Sequence, residues 1–242
     1  MHRSFLLVFM LLTLPVAGCL SNETVEINAD LAQSEVVVVH TYQNGALIGT
    51  EAATVNVDFS GSVAAVEYTV EVSDGRDMIQ RTAEEGHVLS LDFTAHGVHT
   101  LTATAVDASG RSATRVLTVH VNLQIVWTEE GTQSPSTLAF DPLPEHGGPM
   151  ADYITIESVV SNPDLIQNLG GGREVDVTWR LIDPLGGACQ QHSDVVHEGE
   201  SAAWNTLHFN TYEAHDLAVD YDEGQDEIDV HHTVIVVYEP AA

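Results

Sequence analysis

Apolar and polar residues alternate along most of this chain from residue 35 onward, and little recurs at helical spacing. The segments EVVVVHTY (35–42), ATVNVDFSG (53–61), VEYTVEVSDG (66–75), HVLSLDF (87–93), HTLTATAVDASG (99–110) and ATRVLTVHVN (113–122) are short, rich in Val and Thr, and closed by turn residues. A period of two sends successive side chains to opposite faces of a strand. Thr100, Thr102 and Thr104 alternate with Leu101, Ala103 and Ala105, which puts one polar face outward and one small apolar face inward. Asp74-Gly75 and Ser109-Gly110 mark tight turns. Strands at this spacing predict an antiparallel sandwich over residues 34–122.

The pattern continues beyond residue 122 in a different composition. Residues 123–242 hold all three tryptophans (Trp127, Trp179, Trp204), most of the prolines, and turn-rich segments such as PLPEHGGP and LGGGRE. LQIVWTE, DYITIESVVS, EVDVTWRLID, AAWNTLHF, LAVDY and DVHHTVIVVYE predict strands, and NPDLIQNLGG a single helical turn. RLIDPLGGACQQ holds a Pro-x-Gly turn that ends one strand before a loop. No internal repeat links the two stretches. The second therefore predicts a separate β-sandwich of no recognised family, with the boundary near Asn122. The expected fold class is all-β: two immunoglobulin-like β-sandwich domains after a cleaved lipoprotein signal peptide.

Three pieces of the first stretch resemble the PKD family of immunoglobulin-like extracellular domains. VNVDFSGS (55–62) is similar to its early strand and Ser-rich turn, and YTVEVSDG (68–75) stands where the family has Tyr-x-Trp-x-Phe-Gly-Asp-Gly. FTAHGVHTLTATAVDASGRSATRVLTVHV (93–121) is similar to its closing hairpin. Val70, Val72 and Ser73 depart from the signature at the Trp, Phe and first Gly positions.

The chain opens with a short basic start (His2, Arg3), the apolar run SFLLVFMLLTL and then small residues, the layout of a secretory signal peptide over residues 1–18. Its end, Val16-Ala17-Gly18-Cys19, closely resembles the lipobox of prokaryotic lipoproteins. The resemblance implies a diacylglyceryl group on the Cys19 thiol and cleavage that leaves this cysteine first. Two acyl chains suffice for stable attachment where one does not. Residues 19–33 then read as a polar spacer, and the protein is expected at the cell membrane, lipid-anchored and facing outside the cytoplasm.

Charge narrows the partners. Asp and Glu number 36 against 7 basic residues, all of them Arg, for a net charge of −29. Such a surface repels nucleic acid and anionic headgroups, so no nucleic-acid partner is expected. Carboxylates spread through both halves fit adaptation to salt, with dedicated calcium binding as the rival reading.

Candidate chemistry is sparse. In CQQHSDVVH, Cys189, His192 and His197 resemble a blue-copper loop, and His146 could supply a second imidazole to copper. In DYDEGQDEID, the carboxylates of Asp220, Asp222, Asp226 and Asp229 surround a glycine and could hold calcium. A solvated hairpin turn is the competing reading. His99, His120, His208 and His231 sit on strands and are expected at the surface, and the neighbours His231 and His232 must face opposite ways. Gly-x-Ser-x-Gly, His-Glu-x-x-His and phosphate-cradling loops are absent from the sequence, so no catalytic activity is expected. Nor is a cofactor expected beyond the lipid, with calcium or copper as alternative occupants. The chain reads as a lipid-anchored surface protein for recognition, adhesion or envelope structure, with an extracellular protein or glycan as partner. The alternatives are a metal-binding lipoprotein (blue-copper-like or calcium) and an accessory subunit of a secreted hydrolase or transporter.

Overall fold

The computed structural model describes residues 24–163 and 173–240. The leader, Cys19 and most of the segment expected to form a helical turn lie outside the described residues. Within them the chain is all-β. In order the strands are β1 (Asp30–Leu31), β2 (Glu35–Gln43), β3 (Ala46–Glu51), β4 (Ala53–Asp58), β5 (Ala65–Val72), β6 (Ile79–Thr82), β7 (Val88–Phe93) and β8 (Gly97–Asp107). There follow β9 (Ser112–Thr132), β10 (Leu138–Phe140), β11 (Tyr153–Ser161), β12 (Glu174–Ile182), β13 (Ala188–His197), β14 (Ser201–His208), β15 (His215–Glu223) and β16 (Ile228–Val237).

A nine-stranded sheet runs β14-β11-β16-β9-β8-β5-β6, with β2 and β3 added beside β9. Two smaller sheets, β1-β4-β7 and β10-β15-β12-β13, complete the layers. The 21-residue β9 is the spine. His120 pairs with both Glu35 of β2 and Val98 of β8, and Leu123 with both Val38 of β2 and Val236 of β16. A strand has only two edges, so β2 occupies one while β8 and then β16 share the other.

Two hydrophobic cores lie along the spine. On β9 the buried residues Val119, Val121, Leu123, Ile125 and Trp127 keep one parity, so a single face serves both cores. The first packs Val55, Val57, Leu89, Leu91 and Phe93 against Tyr68, Val70, Leu101 and Ala103, and contains no tryptophan. The second packs Val175, Val177, Trp179 and Leu181 against Ile154, Ile156, Val234 and Trp127, and includes Trp204. β9 passes through residue 122 without a break, and β2 likewise contributes Val36 and Val38 to the first core and Tyr42 to the second. Asn122 is buried there: its Oδ1 accepts from the Tyr238 N–H at 2.7 Å and its Nδ2 donates to Glu35 Oε1 at 2.9 Å.

Two expectations are corrected by this packing. The stretch expected to be a polar spacer contributes β1 and a bridge between Glu26 and Val63, and it buries Ala29 in the first core. Its polar residues mask an edge strand whose backbone needs partners. The segment after the Pro-x-Gly turn is strand β13, antiparallel to β12, where a loop was expected.

Candidate functional site: a Cys-His-His cluster and its loop

The residues singled out in the sequence do not assemble as expected. The acidic stretch spends its carboxylates on four separate partners. Asp220 pairs with Arg180 at 3.0 Å, and Asp222 accepts from Thr178 Oγ1 at 2.6 Å. Buried Asp226 meets Arg173 Nη1 at 2.9 Å, and Asp229 accepts from the Gly131 N–H at 2.8 Å. The stretch ends β15 and crosses to β16 in the nine-stranded sheet, and these side chains fasten the crossing to neighbouring segments instead of converging as a calcium loop requires.

The copper loop is also corrected. β13 is extended, and at about 3.3 Å per residue three positions separate two side chains by about 10 Å, on opposite faces of a regular strand. His192 stacks on Trp179 with ring centroids 5.8 Å apart. His197 faces Glu174 across the sheet, Nδ1 to Oε2 3.6 Å. His146 sits in the loop before β11, against His99 of the first core at 6.4 Å between centroids. The surface placement expected for strand histidines holds for His231 alone among the four. His99 and His208 are buried, and His120 is half-buried.

What the fold brings to Cys189 is a different pair. Cys189, His208 and His215 each offer one ligand atom within 4.8 Å of the others, the only such group of three or more among the described residues. A register slip builds it. Leu181 pairs with Gln190 but Ile182 with Ala188, which leaves Cys189 as the extra residue of a bulge. Bulges re-aim side chains, and this one brings the thiol to the histidines. His208 ends β14 opposite Ile154, and His215 begins β15 opposite Phe140, so both rings point into the sandwich from facing sheets. They meet edge to face, centroids 4.8 Å apart at 89°.

The hydrogen bonding leaves a gap in the middle. His215 Nε2 donates to the Asn210 carbonyl at 2.9 Å, which leaves Nδ1 as the lone-pair nitrogen. That Nδ1 and His208 Nε2 are buried and have no hydrogen-bond partner. Burial, then the neighbouring His215, push the His208 pKa down. Burial, then the Asp183 and Glu213 carboxylates, push the Cys189 thiol up. Burial thus favours the neutral form of His208 and the thiol form of Cys189. An open groove of about 280 Å³, lined by Phe140, Asp183, Pro184, Ala214 and His215, adjoins it.

The residues between the two histidines form a short, fixed loop. Thr211 is buried and its hydroxyl donates to the Ala151 carbonyl at 2.8 Å, while Asn210 bonds Glu213. Pinned this way, the loop leaves Phe209 68% and Tyr212 70% exposed. Phe209 also meets Tyr153 edge-on at 6.5 Å. Two residues before Phe209, Leu207 enters a shallow groove of about 560 Å³ on the outer face of β14-β11-β16, whose lining also includes Thr155, Glu157, Asn205, Thr233 and Ile235.

No family model and no curated protein matches the sequence. Among solved structures, one of the carbohydrate-binding modules of the β-sandwich superfamily is similar, with a TM-score of 0.33 and 8% identity over 87% of this chain and 96% of that one. Bacteroides uniformis β-glucuronidase 2 gives 0.30 and 11%, over 86% of this chain and 30% of the enzyme. The SGBP-B protein of a Bacteroides ovatus mixed-linkage glucan utilisation locus gives 0.20 and 12%, over 82% and 53%. Similarity at this level assigns neither a ligand nor a reaction.

Proposed function

We propose that this chain is an exported recognition protein, tethered to the membrane through Cys19, that binds a neutral extracellular glycan without turning it over. The observation that carries the reading is the pair of exposed aromatics, Phe209 and Tyr212, on a loop fixed by the Thr211–Ala151 bond and bordered by the groove. Single exposed apolar side chains are ordinary, whereas two exposed aromatics on one short loop form the kind of local patch that marks an interaction site. A sugar ring offers an apolar C–H face to stack on such rings, and its hydroxyls suit the Thr155, Glu157, Asn205 and Thr233 side chains beside them. A net charge of −29 disfavours anionic polymers and leaves neutral glycans as the matching class. Affinity electrophoresis in gels containing neutral polysaccharides tests the assignment. At least one polymer should retard the protein, and Phe209→Ala with Tyr212→Ala should abolish the retardation. Unchanged mobility in every polymer, or retention unaffected by the double variant, refutes it.

A further inference from the structure

We propose that Cys189, His208 and His215 are the protein ligands of a zinc ion, and that filling the site locks the loop which presents Phe209 and Tyr212. Three independent features point to a ligand between these side chains. Two buried imidazole nitrogens, His208 Nε2 and His215 Nδ1, lack any hydrogen-bond partner, and burying such atoms unpaired is costly. The bulge at Cys189 brings a thiol to within 4.8 Å of one ring nitrogen of each histidine. The Asn210 carbonyl holds the His215 ring by its other nitrogen, the outer support that metal-bound imidazoles ordinarily have.

The donor set selects the ion. One sulfur and two imidazole nitrogens suit a borderline transition metal and are wrong for calcium or magnesium. Tetrahedral zinc, with Zn–N about 2.0 Å and Zn–S about 2.3 Å, needs ligand atoms about 3.3–3.6 Å apart. Side-chain rotation closes the remaining gap from 4.8 Å. Three protein ligands leave a fourth place for water or an incoming ligand, and the exposure of Cys189 opens it to solvent. Cys189 is the one cysteine among the described residues, so no disulfide partner among them competes for its thiol.

The mechanical consequence follows from chain order. His208 and His215 bracket residues 209–214, so one ion bound by both closes that loop at its base. The effect on glycan affinity rests on the recognition reading, whereas metal binding itself does not.

Cobalt serves as the spectroscopic probe. The full chain is stripped with chelator and titrated with Co²⁺ in molar NaCl, which suppresses adsorption to the acidic surface. Thiolate-to-metal charge transfer and tetrahedral d–d bands should saturate at one equivalent, and Zn²⁺ should bleach them stoichiometrically. Cys189→Ser should remove the charge-transfer band, and His215→Ala should weaken binding tenfold or more. His192→Gln and His197→Gln should change neither, and circular dichroism checks that each variant is folded. No saturable spectrum, a charge-transfer band retained in Cys189→Ser, or dependence on His192 or His197 would each overturn the assignment. Hydrogen exchange over residues 209–214 reads the locking: Zn²⁺ should slow it at least tenfold, and unchanged exchange refutes that half. If zinc binds and slows exchange while no glycan is retained, the recognition reading alone fails.

Discussion

His232 supplies a quantitative test of the second core. It lies mid-strand in β16, between Ser158 of β11 and Trp127 of β9, and is wholly buried. Ser158 Oγ accepts from Trp179 Nε1 at 2.7 Å and bonds His232 Nδ1 at 2.7 Å, so a polar chain crosses between the sheets. Nε2 of His232 is buried without a partner. Burial, with a smaller contribution from adjacent His231, pushes the His232 pKa down to about 3 from 6.5. A depressed histidine pKa means that the unfolded chain takes up a proton which the folded chain refuses. The contribution is therefore constant above about pH 6.5 and turns against folding as pH falls from there toward about pH 3. One pKa unit is worth about 1.4 kcal/mol, so at about pH 4.5 the loss is about 3 kcal/mol. That is a large share of the 5–15 kcal/mol typical of a folded domain. Urea unfolding at about pH 7 and about pH 4.5 should show wild type losing about 3 kcal/mol more than His232→Gln, which keeps a polar group beside Ser158 but does not titrate. His40, His96, His99 and His208 are pushed down as well, each chiefly by burial, but they are common to both proteins and cancel. Parallel pH dependence in the two proteins, or a His232 ring proton titrating near its ordinary value by NMR, refutes the reasoning.

Other consequences are open to simple measurement. Asn122→Ala removes the acceptor for the buried Tyr238 N–H and should cost about 1–3 kcal/mol in denaturant unfolding. Because β9 and β2 thread both cores, tryptophan fluorescence, confined to the second core, should give the same midpoint as far-ultraviolet circular dichroism; separated midpoints would show that the cores melt independently. Arg173→Ala strands the buried Asp226 carboxylate and should cost about 2–3 kcal/mol, less than a fully buried pair because the arginine is half-exposed. The melting temperature should rise from low to molar NaCl as carboxylate repulsion is screened, with KCl equally effective and millimolar Ca²⁺ adding nothing; a calcium effect lost in Asp222→Asn would restore the calcium loop. Mass spectrometry of detergent-extracted protein should find Cys19 as a lipid-bearing first residue, and Cys19→Ser should release the protein or leave a precursor.

The strands that were legible are those with one face in a core. β4, β7, β8 and β12 alternate strictly between buried and accessible positions, and their sequences carry the same beat. β3 is exposed throughout, so nothing in its apolar pattern marks it. The stronger signal was the Asn44-Gly45 turn before it, with φ of 48° and 80°, the residue pair that two-residue hairpins favour. β13 buries only Val196, and a polar edge strand reads as a loop. Asn122 reads as the end of a strand because it is polar, yet side-chain bonds to Tyr238 and Glu35 satisfy it within β9. The cluster at Cys189 eluded sequence reasoning for a different reason. Short spacing finds only ligands that share one turn, helix face or strand face, and here they come from three strands in two sheets. What could have found it is His208 closing one strand and His215 opening the next, with one short loop between them.

The strand pairing also fixes where the proposed binding surface stands relative to the proposed tether. Glu26 bridges Val63 just ahead of β5, whose first residue Ala65 pairs with Asp107, at the end of the sheet where β8 turns into β9. The chain therefore enters the structure at the Ser112 end of the spine. His208 pairs with Ile154, Ile154 with Val236, and Val236 with Leu123, which sets the cluster and its loop level with the middle of β9. From Ser112 to Leu123, at about 3.3 Å per residue, is about 35 Å. That distance is spanned by continuous strand, with β2 and β8 hydrogen-bonded on either side where the two cores meet. A flexible linker would let the surface fold back on the membrane. A spine shared by both cores removes a hinge between them, so on the tethering proposal the first sandwich acts as a rigid spacer between the point of entry and the loop of Phe209 and Tyr212.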